Sequence, residues 1–295
     1  MFKFPTIATV FAAVLCWSTA TFAGSYVRVS PDMDIYYEEA GSGRPIIFIP
    51  GWTGTTVYLR KQVAHFSKRH RAIVYDPRSQ ERSSKTPENN TYTQHGADLK
   101  ALMDALKLKD VVLVGHSWGC YDAYAYFRAF GADNVKGYVC LDQSPKDIIE
   151  KDGDWGSIRT LAEFKTYYDS LAYNRMQSMR DFIQSLFTRP LTEEEKALKF
   201  DETLKTLTSA AVALQYDGYV ADYTPEAKAI ESKIPVLNIV YDPGWYKGWA
   251  QAAQNWGKTV ATRTEVVVMP GLHNLHWENP EQVNAVIDKF LEKVK

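Results

Sequence analysis

Ser117 stands in Val-Val-Leu-Val-Gly-His-Ser-Trp-Gly, residues 111–119, between four apolar, mostly β-branched residues and an apolar stretch carrying Ala123, Tyr124 and Phe127. This is G-x-S-x-G between a strand and a helix, the context that pushes a serine out on a sharp turn as a nucleophile. Gly115 and Gly119 flank it because a side chain at either would clash in so tight a turn. The backbone N–H of Trp118 then opens the following helix, where donors lack intrahelical acceptors, beside the serine oxygen. A hydroxyl is a poor nucleophile until a base takes its proton. Among six histidines, His273 is the best placed, in Met-Pro-Gly-Leu-His-Asn-Leu-His-Trp-Glu-Asn-Pro, after the last apolar run and before the final helix. His276 is read as packing, and His116, a poor base from its backbone direction, as part of the site wall; His65, His70 and His95 are read as surface residues without chemistry. The acid that would orient His273 has two candidates at strand ends, Asp142 after Val139-Cys140-Leu141 and Asp242 after Asn238-Ile239-Val240-Tyr241. Asp76, also at a strand end, reads as a loop brace.

These residues need a sheet to bring them to one edge. Strands are expected at Tyr26–Ser30, Met33–Glu39, Pro45–Ile49, Ala72–Tyr75, Val111–Val114, Val135–Leu141, Pro235–Tyr241 and Glu265–Met269. Helical spacing runs through Leu59, Val63 and Phe66, through Leu99, Leu102, Met103 and Leu106, through a Trp- and Ala-containing stretch near 246–256, and through Val283, Val286, Ile287 and Phe290 after Asn279-Pro280. Alternation of strands and helices implies an α/β fold, a mostly parallel, doubly wound sheet covered on both faces. Residues 24–145 and 232–295 are assigned to this core, and 146–231 to an inserted helical cap. The insertion shows no strand pattern, a capping box at Thr192–Glu195, and Phe164, Tyr167, Tyr168, Met176, Met179 and Phe182 at helical spacings. Tyr168 and Phe182 are the cap residues expected to line a substrate pocket, with Trp52, Trp118, Trp245, Trp249 and Trp277 near loop ends.

Charges nearly cancel, 34 basic against 35 acidic, so no electrostatic footprint for nucleic acid is present. Residues 1–23 combine Lys3, an apolar run from Ile7 to Trp17 and small residues ending Thr-Phe-Ala, the pattern of a secretory signal peptide. The expectation is a secreted or periplasmic protein with no stable membrane partner after cleavage. Export permits a disulfide between Cys120 and Cys140, but both fall inside apolar elements, and free buried thiols are favoured. No metal-ligand spacing, phosphate loop or dinucleotide fingerprint is present, so neither metal nor cofactor is expected.

The serine elbow, the order Ser, Asp, His and the long insertion resemble the α/β-hydrolase family over residues 26–293. The resemblance implies an oxyanion hole from the backbone N–H groups of Trp52 and Trp118, with Gly51 and His116 beside the substrate. The family's common His-Gly loop is Pro50-Gly51 here, which leaves the Trp52 donor in place. Relatives most often carry the acid after the later strand, in a Gly-x-x-Asp turn. Tyr241-Asp242-Pro243-Gly244 lacks that turn, which favours Asp142, a position some relatives use, with Asp242 as the alternative. Dehalogenase and epoxide-hydrolase relatives place a carboxylate at the elbow, and Ser117 argues against both. The function implied is hydrolysis of a small-molecule carboxylic ester or lactone through an acyl-enzyme. A cofactor-free perhydrolase or carbon–carbon hydrolase using the same serine, or a non-catalytic ligand-binding protein of the same fold, are the alternatives.

Overall fold

The computed structural model describes residues 23–295. Eight strands form one sheet: β1 (Ala23–Ser30), β2 (Met33–Ala40), β3 (Pro45–Ile49), β4 (Arg71–Tyr75), β5 (Val111–His116), β6 (Val135–Leu141), β7 (Val236–Pro243) and β8 (Glu265–Gly271). Their order is β1-β2-β4-β3-β5-β6-β7-β8. The first two strands pair antiparallel and β2 meets β4 antiparallel, whereas β4-β3-β5-β6-β7-β8 is parallel throughout.

Successive side chains of the central strands point to opposite faces, and both faces are buried. Val111 and Leu113 of β5 join one core with Ile47 and Ile49, while Val112 and Val114 join the other with Ile46 and Phe48. That is why these strands read as unbroken apolar runs rather than alternating ones. The first core is covered by α2 (Tyr92–Ala105), α3 (Gly119–Phe130) and α8 (Trp249–Thr259), the second by α1 (Arg60–Phe66) and α10 (Pro280–Leu291). Pro280 sits in the first turn of α10, where its missing N–H costs no hydrogen bond. The helix expected near 246–256 begins instead at Trp249, because Gly248 at φ 107° interrupts the chain just before it.

Between β6 and β7 an irregular stretch with isolated bridges from Lys146 to Asp222 and from Ile148 to Ile158 leads into four helices, α4 (Leu161–Ser185), α5 (Glu193–Leu204), α6 (Thr208–Val220) and α7 (Thr224–Ile230). Capping boxes open α4 at Thr160 and Glu163 and α5 at Thr192 and Glu195. Asn174, at φ −141°, ψ 43°, breaks α4 into two arms. Leu171, Met179, Ile183 and Phe187 form a third apolar cluster, which reaches Trp52, Trp245 and Trp277 of the sheet's carboxyl edge. A short helix, α9 (Leu275–Glu278), follows β8 and carries Trp277. The signal-peptide expectation falls on residues outside those described, apart from Ala23, where β1 begins.

Cys120 and Cys140 are free and buried, their thiols donating to the carbonyls of Gly115 and Gln143. His95, expected at the surface, is buried on α2 with its Nδ1 3.1 Å from Asp122 Oδ1 of α3. The two helices pack closely enough to enclose that pair, and the Asp122 charge lifts the His95 pKa against the cost of burial.

Candidate active site

Ser117 lies between the end of β5 and the start of α3 at φ 55°. Left-handed backbone is unfavourable for a residue with a Cβ and costs of order 1–3 kcal/mol. It persists because the turn is wedged: a Cβ on Gly119 would strike the carbonyls of Ile49 and Pro50, so the loop after β3 and the start of α3 touch. Gly51 is needed for the same contact, since a Cβ there would lie 2.7 Å from Ser117 Cβ and 3.2 Å from its Oγ. That packing lays the Pro50–Gly54 loop directly against the serine, and the Gly54 N–H closes it by donating to the Gly51 carbonyl at 2.8 Å. Among the described residues, neither the Trp52 nor the Trp118 backbone N–H has an acceptor, and Ser117 Oγ has no hydrogen-bond partner. Two unpaired amides beside a half-buried serine hydroxyl are the donors that an oxyanion formed on attack by that serine requires.

Asp142, directly after β6, is also left-handed, at φ 54°, and fully buried. Its Oδ2 lies 2.8 Å from His273 Nδ1, and its Oδ1 accepts the Tyr241 N–H at 3.0 Å and the Trp249 indole N–H at 2.8 Å. Three donors therefore hold one carboxylate in place, and the carboxylate fixes which His273 nitrogen faces away from it. Asp242, the alternative, is exposed at the end of β7 and makes no hydrogen bond to His273. The adjacent segment is gripped from both sides: the Asn274 N–H donates to the Leu186 carbonyl, Lys61 Nζ to the Trp277 carbonyl and Trp277 Nε1 to Glu195.

His116 is not a wall of the open site. It is buried, its Nε2 is 3.0 Å from the His273 carbonyl, and its ring packs 4.1 Å from that of His276, so it lies beneath the His273 loop. Burial pushes the pKa values of both well down, helped by His276 and His273 at His116 and by Lys199 and His273 at His276, which keeps the rings neutral. Asp76 braces the oxyanion loop by accepting the Thr56 N–H at 2.7 Å and pairing with Arg82 at 3.1 Å; burial raises its pKa to about 6.

An aromatic layer covers the edge. Trp245 packs 4.1 Å from the His273 ring and stacks on Phe182, which meets Trp52 at 6.2 Å, and Trp52 meets Trp118 at 6.1 Å. Trp52 also donates its indole N–H to the Ala211 carbonyl of α6 at 2.9 Å, tying the oxyanion loop to the helical insertion. Phe182 is thus in the layer. Tyr168 is one step removed, packing on Phe164, which reaches Trp118 only through Tyr219. Two tryptophans expected in the pocket lie elsewhere: Trp249 is fully buried under Asp142, and Trp277 is buried against Lys61 and Lys199. Sequence reasoning also missed Asp147, buried against Trp118, whose only signal is its place five residues after Asp142. Among the described residues no group of His, Cys, Asp and Glu could hold a metal ion, and no helix is long and apolar enough to cross a membrane.

A family model of the alpha/beta hydrolase fold matches residues 44–280. A non-heme haloperoxidase of Rhodococcus erythropolis is 27% identical over 276 residues, 90% of this chain and 99% of that protein. Among solved structures, a bromoperoxidase from Bacillus anthracis superposes with a TM-score of 0.84 at 21% identity, covering 92% of this chain and all of that one. An esterase from Exiguobacterium antarcticum superposes at 0.82 with 18% identity, over 92% of this chain and 100% of its own.

Proposed function

The chain belongs to the α/β-hydrolase fold family, and within it we propose a serine hydrolase that cleaves carboxylic esters or lactones through an acyl-enzyme. Fold alone does not carry this, because one fold hosts many chemistries. The observation that does is the 2.8 Å contact of Asp142 with His273 at the sheet edge where Ser117 is held at φ 55°.

In this reading Ser117 Oγ attacks the ester carbonyl carbon as its proton passes to His273 Nε2. Asp142 accepts the Nδ1–H bond and stabilises the imidazolium without taking its proton. The carbonyl oxygen, now negative, accepts from the N–H groups of Trp52 and Trp118. Collapse of the tetrahedral intermediate breaks the bond to the alcohol oxygen, which leaves with the His273 proton. Water then attacks the acyl-serine by the same route in reverse, giving the acid and free Ser117. A lactone yields both groups on one molecule. The aromatic layer of Trp52, Phe182 and Trp245 favours an apolar acyl or alcohol part.

The names of two relatives support a second reading from the same intermediate. Hydrogen peroxide in place of water would attack the acyl-serine and release a peracid, the cofactor-free perhydrolase chemistry. The pattern of residues 1–23 supports export to a secreted or periplasmic location.

Steady-state and burst kinetics on a panel of short-chain aryl esters, longer alkyl esters and lactones test the primary reading, with peroxide added in a parallel series. Multiple turnovers with water support hydrolysis. Release of one equivalent or none across the panel contradicts it and points to a binding protein.

A further inference from the structure

Asp147 is a buried carboxyl group that the proposed reaction leaves unused. It is 3% exposed, and no cation faces it among the described residues. Three donors hold it: the Trp118 indole N–H at 2.7 Å and the Tyr121 hydroxyl at 2.9 Å on Oδ2, and the Ser157 hydroxyl at 2.6 Å on Oδ1. Burial pushes its pKa above the ordinary carboxylate range, against those donors. A carboxylate taken from water without a counter-ion is strongly unfavourable, and an apolar side chain would pack such a spot at lower cost. What the carboxylate adds is direction. The Trp118 ring otherwise packs without a further hydrogen bond, against the rings of Trp52, Tyr92, Tyr121 and Tyr219 and against α6 at Gly218, where an added Cβ would lie 3.0 Å from the indole. Trp118 follows Ser117 in the chain, and its backbone N–H has no acceptor among the described residues. One short segment therefore grips both halves of the site, Asp142 the histidine and Asp147 the tryptophan.

We propose that Asp147 is a positioning residue, fixing the Trp118 indole and through it the backbone N–H beside Ser117 that receives the developing oxyanion. The inference rests on the serine-hydrolase reading above.

The test uses the full-length protein and counts active sites with an organophosphonate, so that kcat is expressed per reactive serine. Affinity for a phenylboronic acid, which forms a tetrahedral adduct on the serine, is measured beside KM. Asp147→Ala should lower kcat per site and boronic-acid affinity each by at least about tenfold, with KM within about twofold. Asp147→Asn keeps an oxygen that can accept the indole N–H and should recover to within about threefold of wild type. Trp118→Phe removes the same bond from the other side and should lose kcat and adduct affinity alike. The double variant should lose no more than the larger single loss, since both changes break one interaction. If Asp147→Ala does not fold, Trp118→Phe with Asp147 intact still reads the bond. A lower count of reactive serines with unchanged kcat per site and adduct affinity, or unchanged values in Trp118→Phe, overturns the inference. An unreactive wild-type serine overturns the hydrolase reading, and the inference with it.

Discussion

Exchanging Asp142 for Asn keeps its shape, and the amide oxygen can still accept from the Tyr241 N–H and the Trp249 indole N–H, but the NH2 then facing His273 Nδ1 is a donor, which sets the wrong tautomer and cannot stabilise the imidazolium. Turnover of a folded Asp142→Asn protein should fall by roughly 10⁴, the scale expected when a triad aspartate is lost. Asp242→Asn, changing an exposed side chain, should stay near wild type. Both variants measured on one ester, with thermal melts to check folding, distinguish the two; near-normal turnover in folded Asp142→Asn would remove Asp142 from the account. At this scale the sequence is legible where a residue's position follows from its place at a strand end, as for Ser117 and His273. It is illegible where the role follows from a partner far along the chain. Trp249 reaches Asp142 across 107 residues, and nothing local separates it from a pocket tryptophan. His116 fails for another reason: adjacency to the nucleophile says nothing about which side of the strand its ring takes.

The helical insertion meets the histidine segment through α5. Lys199 is buried there without a hydrogen-bond partner among the described residues, its Nζ 3.7 Å from the Trp277 ring centre and 3.9 Å from that of Tyr58. The ring faces offset part of the desolvation cost, but burial, with Lys61 and Arg60 nearby, pushes the ammonium well below its ordinary 10.5. The unfolded chain then binds more protons than the folded one between that lowered value and 10.5, so stability from this group rises with pH in that window and falls as pH drops through it. Lys199→Met should abolish that rise while preserving the packing. Thermal melts of both proteins from neutral pH toward 10 should show the wild type gaining relative to the variant; parallel curves would contradict the assignment. Such burial is hidden in the sequence, because Glu-Glu-Glu-Lys-Ala-Leu-Lys reads as a solvated helix start. Central strands were readable from apolar runs and α5 from its capping box. The break of α4 at Asn174 was not, since it carries no proline or glycine signal.

On the scale of the molecule, labour divides between a sheet edge that holds Ser117, Asp142 and His273 and a helical insertion that supplies Phe182 to the layer above them. Phe182→Ala should therefore shift preference between long and short acyl chains by about 1–3 kcal/mol and leave acetate esters nearly unchanged. Tyr168→Ala, one layer further out, should shift it less. Relative kcat/KM across a chain-length series measures both, and equal scaling of every substrate would reduce the insertion to a brace. The architecture was legible because strands, helices and turns alternate in a fixed rhythm; the pocket was not, because ring orientation depends on how the insertion folds over the edge. The most direct test of the account is covalent. Stoichiometric organophosphonate followed by peptide mass spectrometry should find one adduct, on Ser117. Ser117→Ala should take no label and lose at least about three orders of magnitude in ester turnover. An unlabelled wild type, a stoichiometric adduct on another serine, or undiminished turnover in Ser117→Ala would contradict it.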